Sequence, residues 1–182
     1  MRTLAIASLL LCSLPIGSMA DKSKVSRAAI QAIEGNMDNH LRKLWPDDPM
    51  QVLGLTQGAY INGFGAVFMS EVNLAPGAGI TPFHQTVTKD ELARTHDKKL
   101  TRLPKLKDAM QDMLLNSASS LDSVPASEQI TLGITLFYWH GENTEGLPAQ
   151  IVMRAPRRAL VNVKTGMAER STLTAAVTVD QF

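Results

Sequence analysis

The chain has 182 residues, of which 45% are hydrophobic, and its 18 basic residues nearly balance 17 acidic ones, for a formal net charge of +1. This length fits one globular domain. A net charge so close to zero gives no global attraction to nucleic acid or to an anionic membrane surface, so we expect neither as a partner.

The first 20 residues have the pattern of an export signal. Arg2 supplies a positive start, residues 4–14 are apolar, and Ser18-Met19-Ala20 places small residues on both sides of a methionine. The apolar stretch is shorter than the about 20 residues that cross a membrane. We therefore predict cleavage between Ala20 and Asp21, and a mature protein in the periplasm or outside the cell.

Cys12, the one cysteine of the chain, lies in this leader, so the mature chain is predicted to contain none. An exported domain without disulfides depends on its hydrophobic core alone. Cys12 could instead carry a lipid, but the residue before a lipidated cysteine should be small, and Leu11 is not. We expect residues 21–182 to form a single domain with no membrane span after cleavage.

The start of the mature chain predicts a helix and then a hairpin. Apolar residues recur every three or four positions over residues 23–44, as in an amphipathic helix, with Gly35 as a weak point in its middle. Residues 51–61 and 64–74 resemble strands and are joined by Asn62-Gly63, the typical sequence of a type I′ turn. Both faces of the second strand are apolar up to Met69, which predicts a central strand covered on both sides.

A long amphipathic helix is predicted next. Thr88 and Glu91 have the spacing of a capping box, and a largely apolar seam runs from there to Ser120. Pro104 lies inside this segment and predicts either a kink or a division into two helices.

The last part of the chain predicts a second pair of strands. Residues 130–139 and 149–155 are apolar and β-branched, and residues 156–165 read as a short helix that Gly166 ends. Residues 172–179 alternate as an edge strand does, with a helix capped by Ser171 as the alternative.

The predicted order is thus αββ-αββ, followed by a short helix and an edge strand. Helices that are separate from hairpin-connected strands indicate the α+β class. We therefore predict an antiparallel sheet of two β-hairpins, with the long amphipathic helices packed on it.

Candidate catalytic residues lie near the end of the second strand. Glu71 and Asn73 follow its apolar part, where polar groups often point into a cleft, and His84 lies in the next loop. Such a set could serve in general acid–base catalysis. No nucleophile accompanies it, because the chain lacks a Gly-x-Ser-x-Gly elbow, a Ser-x-x-Lys pair and, once mature, any cysteine.

The four histidines give little indication of a metal. None has a ligand partner at helical or hairpin spacing, and we expect no metal or other cofactor. His140 with Glu142 is a weak alternative, although a solvated hairpin tip explains the pair better. His96 lies on the seam of the long helix, where we expect a core or boundary imidazole bonded to a carbonyl.

Two further patterns on the long helix have structural explanations. Met110 and Met113 have a spacing that suits Cu(I), but they lie on the seam and are expected in the core. A basic stretch is expected to be a solvated face, with an acidic polymer or partner as the alternative; it consists of Arg94, Lys98, Lys99, Arg102, Lys105 and Lys107.

Several segments of the mature chain resemble exported bacterial proteins of an uncharacterised family with no assigned function. They are Tyr60-Ile61-Asn62-Gly63-Phe64-Gly65-Ala66-Val67-Phe68, Leu147-Pro148-Ala149-Gln150-Ile151-Val152-Met153 and Ala155-Pro156. The resemblance covers most of the mature chain and implies no activity, ligand or catalytic residue.

These observations lead to two hypotheses. The first is an exported binding or interaction domain for a protein or small molecule that the sequence does not identify. The alternative is a small, cofactor-independent hydrolase or lyase that uses Glu71, Asn73 and a histidine. An enzyme would gather these groups in one concave pocket, whereas a binding module would leave them apart and show an apolar patch or groove.

Overall fold

A computed structural model describes residues 25–77 and 87–182. The predicted leader, its cleavage site at Ala20 and Asp21, and His84 lie outside these residues. The described chain is a mixed α and β structure, with elements in the order α1 (Arg27–Arg42), β1 (Gln51–Val52), β2 (Gln57–Ile61), β3 (Gly65–Asn73), α2 (Lys89–Ser120), β4 (Gln129–Leu136), β5 (Gln150–Pro156), α3 (Arg157–Lys164), α4 (Ser171–Ala176) and β6 (Thr178–Gln181).

The described strands form one sheet of six, in the order β1-β3-β4-β5-β6, with β2 also paired to β3. The β2–β3 and β4–β5 pairs are antiparallel hairpins, as predicted. However, β3 and β4 run parallel from Gly65, opposite Gln129, to Val72, opposite Leu136. The prediction of an antiparallel sheet is therefore wrong for this central pair, because α2 returns the chain to the end of the sheet at which β3 began.

The turn between β2 and β3 is not of type I′. Gly63 has a φ of +81°, but no described non-glycine residue has a positive φ, so Asn62 lacks the conformation that a type I′ turn requires. Gly65 has a φ of +132°, and a Cβ atom there would lie 1.9 Å from the backbone oxygen of Gln129. Glycine at this position thus allows β4 to approach the start of β3 closely.

Helix α2 begins as predicted. The Thr88 hydroxyl accepts from the Glu91 amide at 3.2 Å, and the Glu91 carboxylate accepts from the Thr88 amide at 2.8 Å, which completes a capping box. The helix continues through Pro104 as one element of 32 residues, so a division into two helices is wrong.

The final segment contains a helix and a strand, so neither sequence alternative holds alone. Helix α4 begins at Ser171, but Arg170 and not Ser171 is its N-cap residue. Strand β6 follows at Thr178 and pairs antiparallel with β5 at the edge of the sheet.

The core lies between the helices and one face of the sheet. Alternate residues of the central strands are buried there in one cluster with helical side chains; this cluster includes Phe68, Leu132, Ile134, Met153, Ile33, Met110 and Leu160. On the opposite face Val67, Met69 and Val152 are half-buried and Glu71 is exposed. We call this the open face. The prediction that β3 is covered on both sides is wrong, because the described helices that pack on the sheet share one face.

Helix α1 also covers part of the free edge of β2. The Gly58 amide donates to Glu34 Oε1 at 2.6 Å, and the Gly58 carbonyl accepts from Arg27 Nη1 at 2.9 Å. Arg27 and Glu34 are themselves paired at 2.9 Å. The free backbone groups of Gly58 are thereby satisfied by side chains and not by another strand.

Candidate functional site

Two of the three candidate catalytic residues, Glu71 and Asn73, lie in the part of the chain that the structure describes. Glu71 is exposed on the open face. Asn73 is only 1% exposed, and its Oδ1 accepts from the Ala75 amide at 3.2 Å. This contact is an Asx turn, which explains the residue by local structure at the end of β3.

His140 and Glu142 also have different environments. His140 is exposed, whereas the carboxylate of Glu142 forms an ion pair with Lys99, and both of these side chains are buried. Lys99 Nζ also donates to the Phe137 carbonyl at 3.0 Å. In residues 25–77 and 87–182, no three His, Cys, Asp or Glu side chains come together as a metal site. Glu142 therefore acts as an anchor of the β4–β5 loop.

Tyr138 reinforces this anchor. Lys99 Nζ lies 4.6 Å from the centroid of its ring, and its hydroxyl donates to the Pro148 carbonyl at 2.8 Å. Burial raises the pKa of Tyr138 to about 12, and the negative charge of Glu142 adds to the shift. The phenol thus remains a neutral donor that holds the two ends of the loop together.

The basic stretch of α2 is not simply a solvated face. Arg102 is 6% exposed and donates to the Asp48 carboxylate at 2.6 Å and to the Leu74 carbonyl. A hydrogen bond from Lys98, together with the charge of Arg102, lowers the pKa of Asp48. With Lys99, these residues tie the loops that follow α1, β3 and β4 to the first half of α2, so the solvated-face prediction is wrong for Lys99 and Arg102.

His96 has the environment expected from its place on the seam. Its side chain is 14% exposed, and Nε2 lies 2.8 Å from the Glu145 carbonyl. A carbonyl oxygen can only accept, so Nε2 carries the proton in this contact. His96 is thus a boundary residue that contacts the β4–β5 loop. Met110 and Met113 are buried in the core, also as expected.

The described residues form a groove of about 400 Å³ on the helical layer, between α1, the second half of α2 and the end of α3. We call it the helical groove. Its floor is apolar and consists of Ile33, Met37 and Met113, which are 2 to 3% exposed. Polar side chains surround this floor: Asn36, His40, Asn116, Ser117, Ser119, Ser120 and Lys164.

Part of this polar rim is already hydrogen-bonded. Lys164 Nζ donates to Asn116 Oδ1 at 2.7 Å, and two of the serines donate to carbonyls within α2. By contrast, the side chains of Asn36, His40 and Ser120 form no hydrogen bond with another residue that the structure describes. These three side chains are therefore available to a ligand above the apolar floor.

Sequence reasoning missed this groove. The signal that could have indicated it is the spacing of four between Asn36 and His40 and between Asn116 and Ser120, which places each pair on one helical face. Nothing in the sequence shows that the two faces meet.

The helical groove has the features of a small-molecule site, since such sites combine an apolar lining with a few polar groups that fix orientation. No helix in the described part of the chain is long and apolar enough to cross a membrane. In comparisons with known proteins, no family model, curated protein or solved structure matches the chain.

Proposed function

We propose that the protein is an exported binding domain that takes a small polar molecule in the helical groove. The observation that carries the proposal is the apolar floor beneath the unpaired side chains of Asn36, His40 and Ser120. A volume of about 400 Å³ lies within the range of about 300 to 1,000 Å³ of ligand pockets. The engagement of the buried Asn73 by the Ala75 amide favours binding over the enzymatic alternative.

Affinity and selectivity would come from different parts of the groove. The floor excludes water from one side of the ligand, which strengthens any hydrogen bond made above it. The rim supplies an amide, an imidazole and a hydroxyl, each with donor and acceptor capacity. A molecule with several hydroxyl, carboxyl or amino groups on a short carbon frame matches this set.

Thermal melts test the binding proposal, with single amino acids, monosaccharides and hydroxycarboxylic acids as probes. A ligand at 100 times its dissociation constant adds about 2.7 kcal/mol to the unfolding free energy, so one class of probe should raise the Tm. His40→Ala and Ser120→Trp should abolish that shift, whereas His140→Ala, a change at an exposed loop position, should retain it. The proposal fails if no class shifts the wild-type melt or if both groove variants respond normally.

The export part of the proposal rests on the leader and on the resemblance to exported proteins. Mass spectrometry of protein recovered outside the cytoplasm should give a chain that begins at Asp21. A mass that retains residues 1–20, or lipid on Cys12, would contradict it. This outcome is independent of ligand binding.

A further inference from the structure

The open face has a continuous apolar centre. A Cβ atom on Gly133 of β4 would lie 2.4 Å from Met69 Sδ and 3.7 Å from Val152 Cγ2. The glycine therefore leaves space in which side chains of the two neighbouring strands approach each other over β4. Val67 extends this centre along β3, and Met69, Val152 and Val67 are all half-buried.

Unlike charges lie on opposite sides of this centre. Glu71 pairs across the ladder with Thr135, and Arg154 pairs with Thr131, so the two charges are displaced from Gly133 in opposite directions along the strands. Glu71 and Arg154 also lie on different strands, β3 and β5, which flank β4 on its two sides. With a rise of about 3.3 Å per residue and a strand spacing of about 4.8 Å, they are roughly 16 Å apart and cannot pair within one chain.

Arg154 and Glu71 differ in whether they already have a partner of opposite charge. Arg154 Nη2 lies 3.3 Å from Asp180 Oδ2, and the Arg154 side chain is 44% exposed. A guanidinium has five N–H donors, so Arg154 can donate to a second carboxylate as well. Glu71 forms no side-chain hydrogen bond or ion pair with another residue of the described ranges. The carboxylate is thus an available partner for a cation.

We propose that the open face binds the open face of a second copy of this chain. A twofold axis in the interface, passing over Gly133 and perpendicular to the line from Glu71 to Arg154, brings each Glu71 to the Arg154 of the other copy. The same rotation places the apolar centre of one copy, which contains Met69 and Val152, against the apolar centre of the other copy. Such an isologous interface has an apolar centre and a charged rim, the usual anatomy of protein interfaces.

Charge complementarity favours a second copy over an unrelated partner. The face presents the unpaired Glu71 and the exposed Arg154, which also contacts Asp180 on the same face, at positions that a single twofold axis exchanges, so it is complementary to itself. The relevant charges are on β3 and β5, which the sheet holds in fixed register. This proposal does not depend on the helical groove, which lies on the other side of the sheet.

Sedimentation equilibrium of the mature protein tests the proposal through a charge exchange. The wild type should be a dimer, and Glu71→Arg or Arg154→Glu should each raise the dissociation constant at least about tenfold, because each places like charges together twice. The double variant should be a tighter dimer than either single variant, because it recreates both pairs with the charges exchanged, although Asp180 then lies beside a second carboxylate. Asp108→Arg makes the same charge change on the exposed side of α2 and should leave the dimer intact.

Circular dichroism of each variant separates loss of dimerisation from loss of fold. A wild type that stays monomeric at about 100 µM overturns the proposal, since a functional dimer should be stable well below this concentration. Folded single variants that remain fully dimeric, or a folded double variant that remains monomeric, also overturn it. Groove binding is measured on the same samples and should be unchanged.

Discussion

Replacement of Lys99 by methionine should destabilise the protein by about 3 to 5 kcal/mol, the cost of leaving a buried charge without its partner. The Lys99 and Glu142 side chains are 1% and 5% exposed, so water cannot replace the lost contact. The Phe137 carbonyl also loses its donor. Because domains are stable by only about 5 to 15 kcal/mol, this one change should remove a large part of the total.

The double variant Lys99→Met/Glu142→Gln distinguishes a buried charge from lost packing. Methionine keeps the length of the lysine stem, and glutamine keeps the shape of the carboxylate without its charge. The double variant should therefore be more stable than Lys99→Met alone, with a coupling of about 1 to 3 kcal/mol.

Urea denaturation followed by circular dichroism measures both variants. Lys98→Met is the matched control, since Lys98 pairs with Asp48 but is 37% exposed, and its loss should move the midpoint far less. The reasoning is refuted if Lys99→Met has the midpoint of the control, or if the double variant is the least stable of all.

Three further outcomes are expected. Gly65→Ala should cost about 2 to 4 kcal/mol, because its φ is +132° and the new Cβ atom would meet the backbone of Gln129; an unchanged urea midpoint would contradict this. Thr131→Val should stabilise the protein by about 1 to 2 kcal/mol, because the buried Thr131 hydroxyl has no hydrogen-bond partner in the described structure; a lower midpoint would contradict it. In Tyr60→Phe, Tyr138 is the remaining tyrosine and its absorbance should titrate near pH 12. Since the folded state then holds a proton that the unfolded state releases near pH 10, the unfolding free energy should fall between about pH 10 and pH 12. Titration of Tyr138 near pH 10 would contradict the burial of its hydroxyl in the folded protein.

Features with local signals could be predicted from the sequence. The capping box of α2 depends on Thr88 and Glu91, and the first hairpin on Asn62-Gly63, so each signal spans a few residues. The parallel pairing of β3 and β4 brings together Gly65 and Gln129, and it depends on where α2 returns the chain to the sheet. The signal for this pairing is the long helix between the two strands, since a crossover helix typically joins parallel strands, and not a pattern within either strand.

The candidate site was hidden for a similar reason. Lys99 was predicted to be solvated with the rest of the basic stretch, but its burial depends on Glu142, which lies 43 positions away. The groove joins α1, α2 and α3, and His40 becomes notable only when these helices pack together. Patterns along one helix indicate its buried face, but they do not indicate which polar residues of two helices become neighbours.

The contacts between α1 and β2 link the folding of one helix to resistance against aggregation. If α1 detaches, Gly58 loses both side-chain partners, and the run Ala59-Tyr60-Ile61 becomes an open template for strands of other molecules. A chain that lacks α1 should therefore form fibrils that bind thioflavin T under conditions in which the whole protein stays dispersed. Helix α1 thus protects the fold from self-assembly as well as contributing to its core.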